Sequence, residues 1–290
     1  MTGASLTNFD QLWDYDKPEE TERRFRQLLP GAARNTSDYV ELLTQIARTQ
    51  GLQRKFDQAH QTLNTAQGLL TSELKRAEIR YLLERGRVFN SAKQPEQARP
   101  LFLEAWQRAV ALGEDFHAID AAHMLAISEP PDKQLAWNLK ALELAAQSRD
   151  PRARKWLGSL YNNIGWTYHD RGQYERALEV FQQAWHWREE EGQEPGIRVA
   201  RWCVARTLRS LGRVGEALEA QQALLRDYAS TAEQDGYVYE ELAECWLLLD
   251  RTDEAQQFFA LAHRELSQDA WLVDREPARI ERLKTLGKIQ

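Results

Sequence analysis

Apolar side chains return along the chain with the spacing of one helix face, and they do so in recurring blocks. A short phrase closing on a small or apolar residue appears as Phe56-Asp57-Gln58-Ala59 and again as Pro95-Glu96-Gln97-Ala98. It returns as Asp132-Lys133-Gln134-Leu135, Tyr174-Glu175-Arg176-Ala177, Val214-Gly215-Glu216-Ala217 and Thr252-Asp253-Glu254-Ala255, at steps of 39, 37, 42, 40 and 38 residues. Four and seven places after the closing residue stand Leu63 and Ala66, Phe102 and Ala105, Leu139 and Leu142, Phe181 and Ala184, or Phe259 and Ala262. This is a helix stripe at 3.6 residues per turn. The copy after Ala217 has Gln221 and Leu224, a weaker stripe.

Twelve places before each closing residue stand Ala47, Gly86, His123, Gly165, Ala205 and Ala243. A small side chain there lets a preceding helix approach closely, so each block reads as a two-helix hairpin. His123 is the large member of the series, expected to be a buried, hydrogen-bonded packing residue. Repetition at this period predicts an all-α, right-handed α-solenoid of about six hairpins, each burying its apolar face against its neighbours.

The expected organisation is a single domain over residues 1–290, with hairpins over 38–266. Residues 17–30 read as an N-terminal capping helix, with Pro18 in its first turn and Glu19 and Glu20 at the positive end of its dipole. Pro277 opens a C-terminal capping helix over 275–287 with Ile280, Leu283 and Leu286 on one stripe. Residues 1–8 and the last few are expected to fray.

Composition narrows the function. A formal charge of −6 argues against a general nucleic-acid binder. Residues 1–20 hold no apolar leader core, and no segment has the roughly 20 apolar residues of a membrane span. The expectation is a soluble cytoplasmic protein with no membrane partner. Cys203 and Cys245 lie in no metal-ligand spacing and read as small buried hydrophobes. Neither a phosphate-binding loop, a dinucleotide turn, a zinc-protease helix nor a nucleophile elbow is present. No cofactor, metal or catalytic residue is therefore expected.

The run Tyr161-Asn162-Asn163-Ile164-Gly165-Trp166-Thr167-Tyr168, followed by Gly172, Tyr174, Ala177, Phe181 and Ala184, resembles a full tetratricopeptide repeat. The likeness extends more thinly over residues 40–265. The family's period is about 34 residues, and the longer steps here resemble the extended repeats of kinesin light chain and of bacterial peptide-sensing regulators. The resemblance implies a concave groove lined by the first helices, with the second, fifth, ninth and twelfth places of each repeat, and the sixth beside them, facing a ligand.

On that alignment the ninth places are Arg48, Arg87, Met124, Trp166, Arg206 and Glu244. The second and twelfth add Arg80, Asn90, His169 and Arg209, and the fifth and sixth add Gln45, Glu84, Asn162, Asn163 and Trp202. Asn162 and Asn163 offer donor and acceptor to a peptide backbone. Arg48, Arg80, Arg87, Arg206 and Arg209 suit carboxylates, and Trp166 and Trp202 offer apolar anchors, with His169 beside them. The lysines of the chaperone-tail clamp are missing. The reading is a non-catalytic adaptor or sensor that binds an extended, acidic peptide. A self-associating scaffold forming a homodimer is the second reading, and an enzyme with an unfamiliar site the third.

Overall fold

The structure is a computed structural model that describes residues 9–32, 36–192 and 194–289. The residues 1–8 expected to fray, and Gln290, lie outside that range. Chain contacts group into two compact units, Met1–Leu160 and Tyr161–Gln290. Among the described residues the regular structure is entirely helical.

In the first unit α1 (Pro18–Leu28) precedes three hairpins. These are α2 (Ser37–Leu52) with α3 (Phe56–Gln67), α4 (Lys75–Ser91) with α5 (Pro95–Leu112), and α6 (Asp115–Ser128) with α7 (Pro131–Gln147). The one-turn helix α8 (Pro151–Arg154) follows. Helix α9 (Leu157–Asp170), which from Tyr161 onward belongs to the second unit, pairs with α10 (Tyr174–Glu190). Then come α11 (Glu194–Ser210) with α12 (Val214–Ser230), and α13 (Gly236–Leu248) with α14 (Thr252–Leu266). The short α15 (Ala270–Arg275) and the terminal α16 (Pro277–Leu286) complete the unit.

Five of the hairpins turn by one device. Five places before the closing residue the backbone is left-handed, at Arg54 (φ 60°), Lys93 (φ 61°), Gly172 (φ 70°), Gly212 (φ 75°) and Asp250 (φ 58°). The next N–H then reaches five residues back, from Lys55 to the Gln50 carbonyl at 2.9 Å and from Gln94 to that of Phe89 at 2.9 Å. Gln173, Arg213 and Arg251 do the same at 2.9, 3.0 and 2.9 Å, satisfying carbonyls that the helix end leaves open. Arg54 and Lys93 carry a Cβ where a residue without one is at ease, at a cost of roughly 1–2 kcal/mol. Arg54→Gly and Lys93→Gly are each expected to raise stability by about 1 kcal/mol, read as a higher urea midpoint at constant slope.

The α6–α7 turn departs from this device and corrects the sequence register. Pro130 and Pro131 stand there, and Pro130 is extended at φ −56° and ψ 153°. Proline cannot take a positive φ. The turn is one residue shorter, so α7 buries Asn138, Ala141 and Ala145 and leaves Leu139 40% exposed. The closing residue is Gln134 and not Leu135. The small residue of this copy is accordingly the fully buried Ala122. His123 is displaced from the packing place expected for it: its ring lies 5.1 Å from Trp156, and its buried Nδ1 has no hydrogen-bond partner among the described residues.

In two of the hairpins the small residue lies directly against the side chain four places after the closing one. A Cβ on Gly86 would stand 2.5 Å from the Phe102 ring, and one on Gly165 would strike Phe181 in the same way. Phe102 and Phe181 are buried, as are Leu63 and Phe259 at the matching places of α3 and α14. Phe25 of α1 buries against Leu42 and Ile46 of α2, and Leu283 of α16 against Phe259. In α12 the place falls to Gln221, wholly buried, with neither amide atom partnered among the described residues. A buried amide left without a bond costs roughly 1–3 kcal/mol. Gln221→Leu is therefore expected to raise the melting temperature, by a free energy of about that size.

Candidate functional site

The arginines expected to grip a ligand mostly have partners within the chain. In the first unit Arg80, 7% exposed, places Nε 3.0 Å from Oε2 of the buried Glu41, whose Oε1 accepts from Arg76 Nε at 2.9 Å. Arg87 donates to Glu84 Oε1 at 2.6 Å and to Asp120 on α6. Burial alone would push the Arg87 guanidinium down, but Asp120 and Glu84 hold it above its ordinary range. Burial likewise works against the Asp120 carboxylate, and Arg87 with Arg48 keeps it below its ordinary range. Arg48 stands apart. Its Nη1 is 3.5 Å from Glu84 Oε1, its guanidinium lies 5.3 Å from the ring centres of both Trp13 and Tyr15, and it makes no hydrogen bond to a described residue.

In the second unit Glu241, 4% exposed, accepts from Arg209 Nε at 2.7 Å and Nη2 at 2.9 Å, and lies 3.0 Å from Arg206 Nε. Burial pushes its carboxyl up against the pull of Arg209 and Arg206. Arg206 also donates to Ser210 Oγ at 2.6 Å, which meets His169 Nε2 at 2.9 Å. Burial and the neighbouring Arg206 push the His169 imidazole down, towards its neutral form. The first-helix arginines are thus largely staples between successive hairpins. The expectation that they stand free for a partner's carboxylates is corrected on this point.

The aromatic and amide positions are differently placed. Trp166 meets the Phe181 ring edge-on at 5.3 Å, His169 at 5.0 Å and Trp202 at 6.0 Å. Trp202 continues to Tyr237 at 6.1 Å and donates from Nε1 to the Tyr237 carbonyl at 3.2 Å. The three half-exposed rings form a strip across α9, α11 and α13. Beside it, Asn162 Oδ1 has only a 3.9 Å contact from Cys203 Sγ, and the Asn163 side chain has no hydrogen bond to a described residue. The second unit therefore brings together Asn162, Asn163, Trp166, His169, Trp202, Arg206 and Arg209. Arg48, Arg80 and Arg87 form a separate group in the first unit.

Several members of these faces escaped the sequence reading. Glu41, Asp120 and Glu241 lie about one repeat from the arginines they hold, 33 residues for Arg87 with Asp120 and 32 for Arg209 with Glu241. Opposite charges one repeat apart on the same helix face are the signal that reveals them. Trp13 and Tyr15 precede the first helix and follow no period. Trp13 nonetheless donates from Nε1 to Gln45 Oε1 at 3.0 Å and stacks on Tyr15 at 4.8 Å. Among the described residues no three His, Cys, Asp or Glu side chains group as a metal site, and no helix is long and apolar enough to cross a membrane.

Comparison with known proteins agrees with this architecture. Residues 157–191 match the tetratricopeptide repeat family model. The structure is similar to the apo form of RapI, with a TM-score of 0.74 and 12% identity, over 96% of this chain and 83% of that one. It is similar to the apo form of the quorum sensor NprR from B. thuringiensis, at 0.61 and 15% over 96% and 79%. A signal-transduction ATPase with a tetratricopeptide repeat sensor from Pyrococcus horikoshii matches at 0.68 and 16%, over 94% of this chain and 42% of that one. No curated protein matches by sequence. The chain has the fold of tetratricopeptide-repeat proteins, and α9–α10 is the hairpin that matches the family model.

Proposed function

We propose that the chain is a non-catalytic adaptor or sensor module that holds an extended peptide or protein segment across the first-helix face of its second unit. The observation that carries this reading is the uncommitted side-chain amide of Asn163, set beside the strip Trp166–Trp202–Tyr237. An amide with both donor and acceptor unused pairs with a peptide backbone whatever its side chains, and half-exposed tryptophans receive an apolar one. Arg206 and Arg209 share the one Glu241 carboxylate, which favours an acidic residue on the partner. Two proteins of the same fold described as sensors support the sensor form of the reading.

A displayed library of random peptides, selected on the wild-type chain, provides the ligand for the test. Asn163→Ala is expected to weaken the selected peptides roughly tenfold, the worth of one to two hydrogen bonds, at an unchanged melting temperature. Selection that enriches no peptide, or an Asn163→Ala chain that melts early, defeats the reading.

A further inference from the structure

The first unit holds a cavity of about 220 Å³ that the peptide reading does not use. Its rings are Trp13 and Tyr15 of the N-terminal segment, Phe116 of α6, and Trp156 just after α8. Its polar wall includes Arg48 and Glu84. The Glu84 side chain is 3% exposed: Oε1 accepts from Arg87, whereas Oε2 has no hydrogen-bond partner among the described residues. The Arg48 guanidinium, 3.5 Å from Oε1, uses none of its five N–H donors in a hydrogen bond to a described residue. Polar groups this enclosed are nearly always matched, and a charged one left unmatched is costly. Arg48 and Glu84 thus form an ion pair without a hydrogen bond, with the buried Glu84 Oε2 left lacking a donor, and both residues line the cavity among four aromatic rings.

We propose that this cavity binds a free α-amino acid with an aromatic or large aliphatic side chain. The ligand's carboxylate takes the Arg48 donors, its ammonium is directed to Glu84, and its side chain lies among Trp13, Tyr15, Phe116 and Trp156. Adjacent groups of opposite charge on the protein call for adjacent groups of opposite charge on the ligand. A ligand that parts this ion pair must answer both charges, and one with a single charge leaves the other half of the pair unanswered. The volume equals that of roughly seven waters and lies below the ~300 Å³ at which drug-sized pockets begin, which suits one amino acid.

Isothermal titration of the full chain with L-phenylalanine is expected to give saturable one-to-one binding below millimolar. Phenethylamine, 3-phenylpropionate and N-acetyl-L-phenylalanine amide, each lacking one or both charges, are expected to bind at least roughly tenfold more weakly, as loss of a charge-assisted bond requires. Arg48→Ala is expected to lose a similar factor. Tyr15→Ala changes a ring that is 57% exposed, so the fold survives, and affinity falls severalfold. The proposal is overturned if phenylalanine, leucine and tryptophan all fail to saturate the chain at millimolar concentration. It is equally overturned if a single-charge analogue binds as tightly, or if Arg48→Ala and Tyr15→Ala both bind phenylalanine undiminished.

Discussion

Glu241→Ala is expected to lose about 3–5 kcal/mol of folding free energy, because it strips the carboxylate from two guanidiniums at once. Glu241 accepts two N–H groups of Arg209, lies 3.0 Å from Nε of Arg206, and is 4% exposed. Both arginines are held in place, with side chains 16% and 26% exposed. Replacing all three together, as Glu241→Leu, Arg206→Met and Arg209→Met, is expected to change stability far less, since no charge is then left without its partner. Urea unfolding of the two variants separates the cases. A Glu241→Ala midpoint equal to that of the wild type would mean that the guanidiniums do not depend on this carboxylate and are free to serve a ligand. The test bears directly on function, because Asn163→Ala is expected to weaken peptide capture while leaving the same midpoint untouched.

The hairpins were legible because their physics is local. A closing residue, a stripe four and seven places on and a small residue twelve places back all recur at one period, and five of six copies fold as that period predicts. The copy near residue 130 was misread by one place. Leu135, Leu139 and Leu142 make the more apolar stripe on paper, but the Pro130–Pro131 turn decides which face turns inward. Asn163, Trp166 and Trp202 are partly exposed on α9 and α11, the first helices of their hairpins, and their role toward a ligand belongs to the proposal above. The engagement of Arg80, Arg87 and Arg209 depends on acids a whole repeat away, which no short spacing rule connects. Trp13 and Tyr15 were invisible for the opposite reason, since they belong to no repeat and gain their place through tertiary contacts, with Arg48, Gln45 and Phe25.

Phe181→Ala is expected to cost about 3–5 kcal/mol, the range for removing a fully enclosed phenylalanine. Its partner gives a sharper test, because Gly165→Ala reverses the usual sign. Within a helix that change normally gains about 1 kcal/mol. Here the new methyl meets the Phe181 ring, which is 1% exposed and has nowhere to turn, so a net loss of roughly 1–3 kcal/mol is expected. The same holds for Gly86 against Phe102. Coupling identifies the cause. In a Phe181→Leu background the shorter side chain makes room, so Gly165→Ala should lose most of its cost, leaving an interaction energy of about 1–2 kcal/mol between the two positions. Thermal melts of the four chains measure it. Independent, additive effects would show that the helices of this hairpin approach through some other contact, and that the recurring small residue is not what lets them meet.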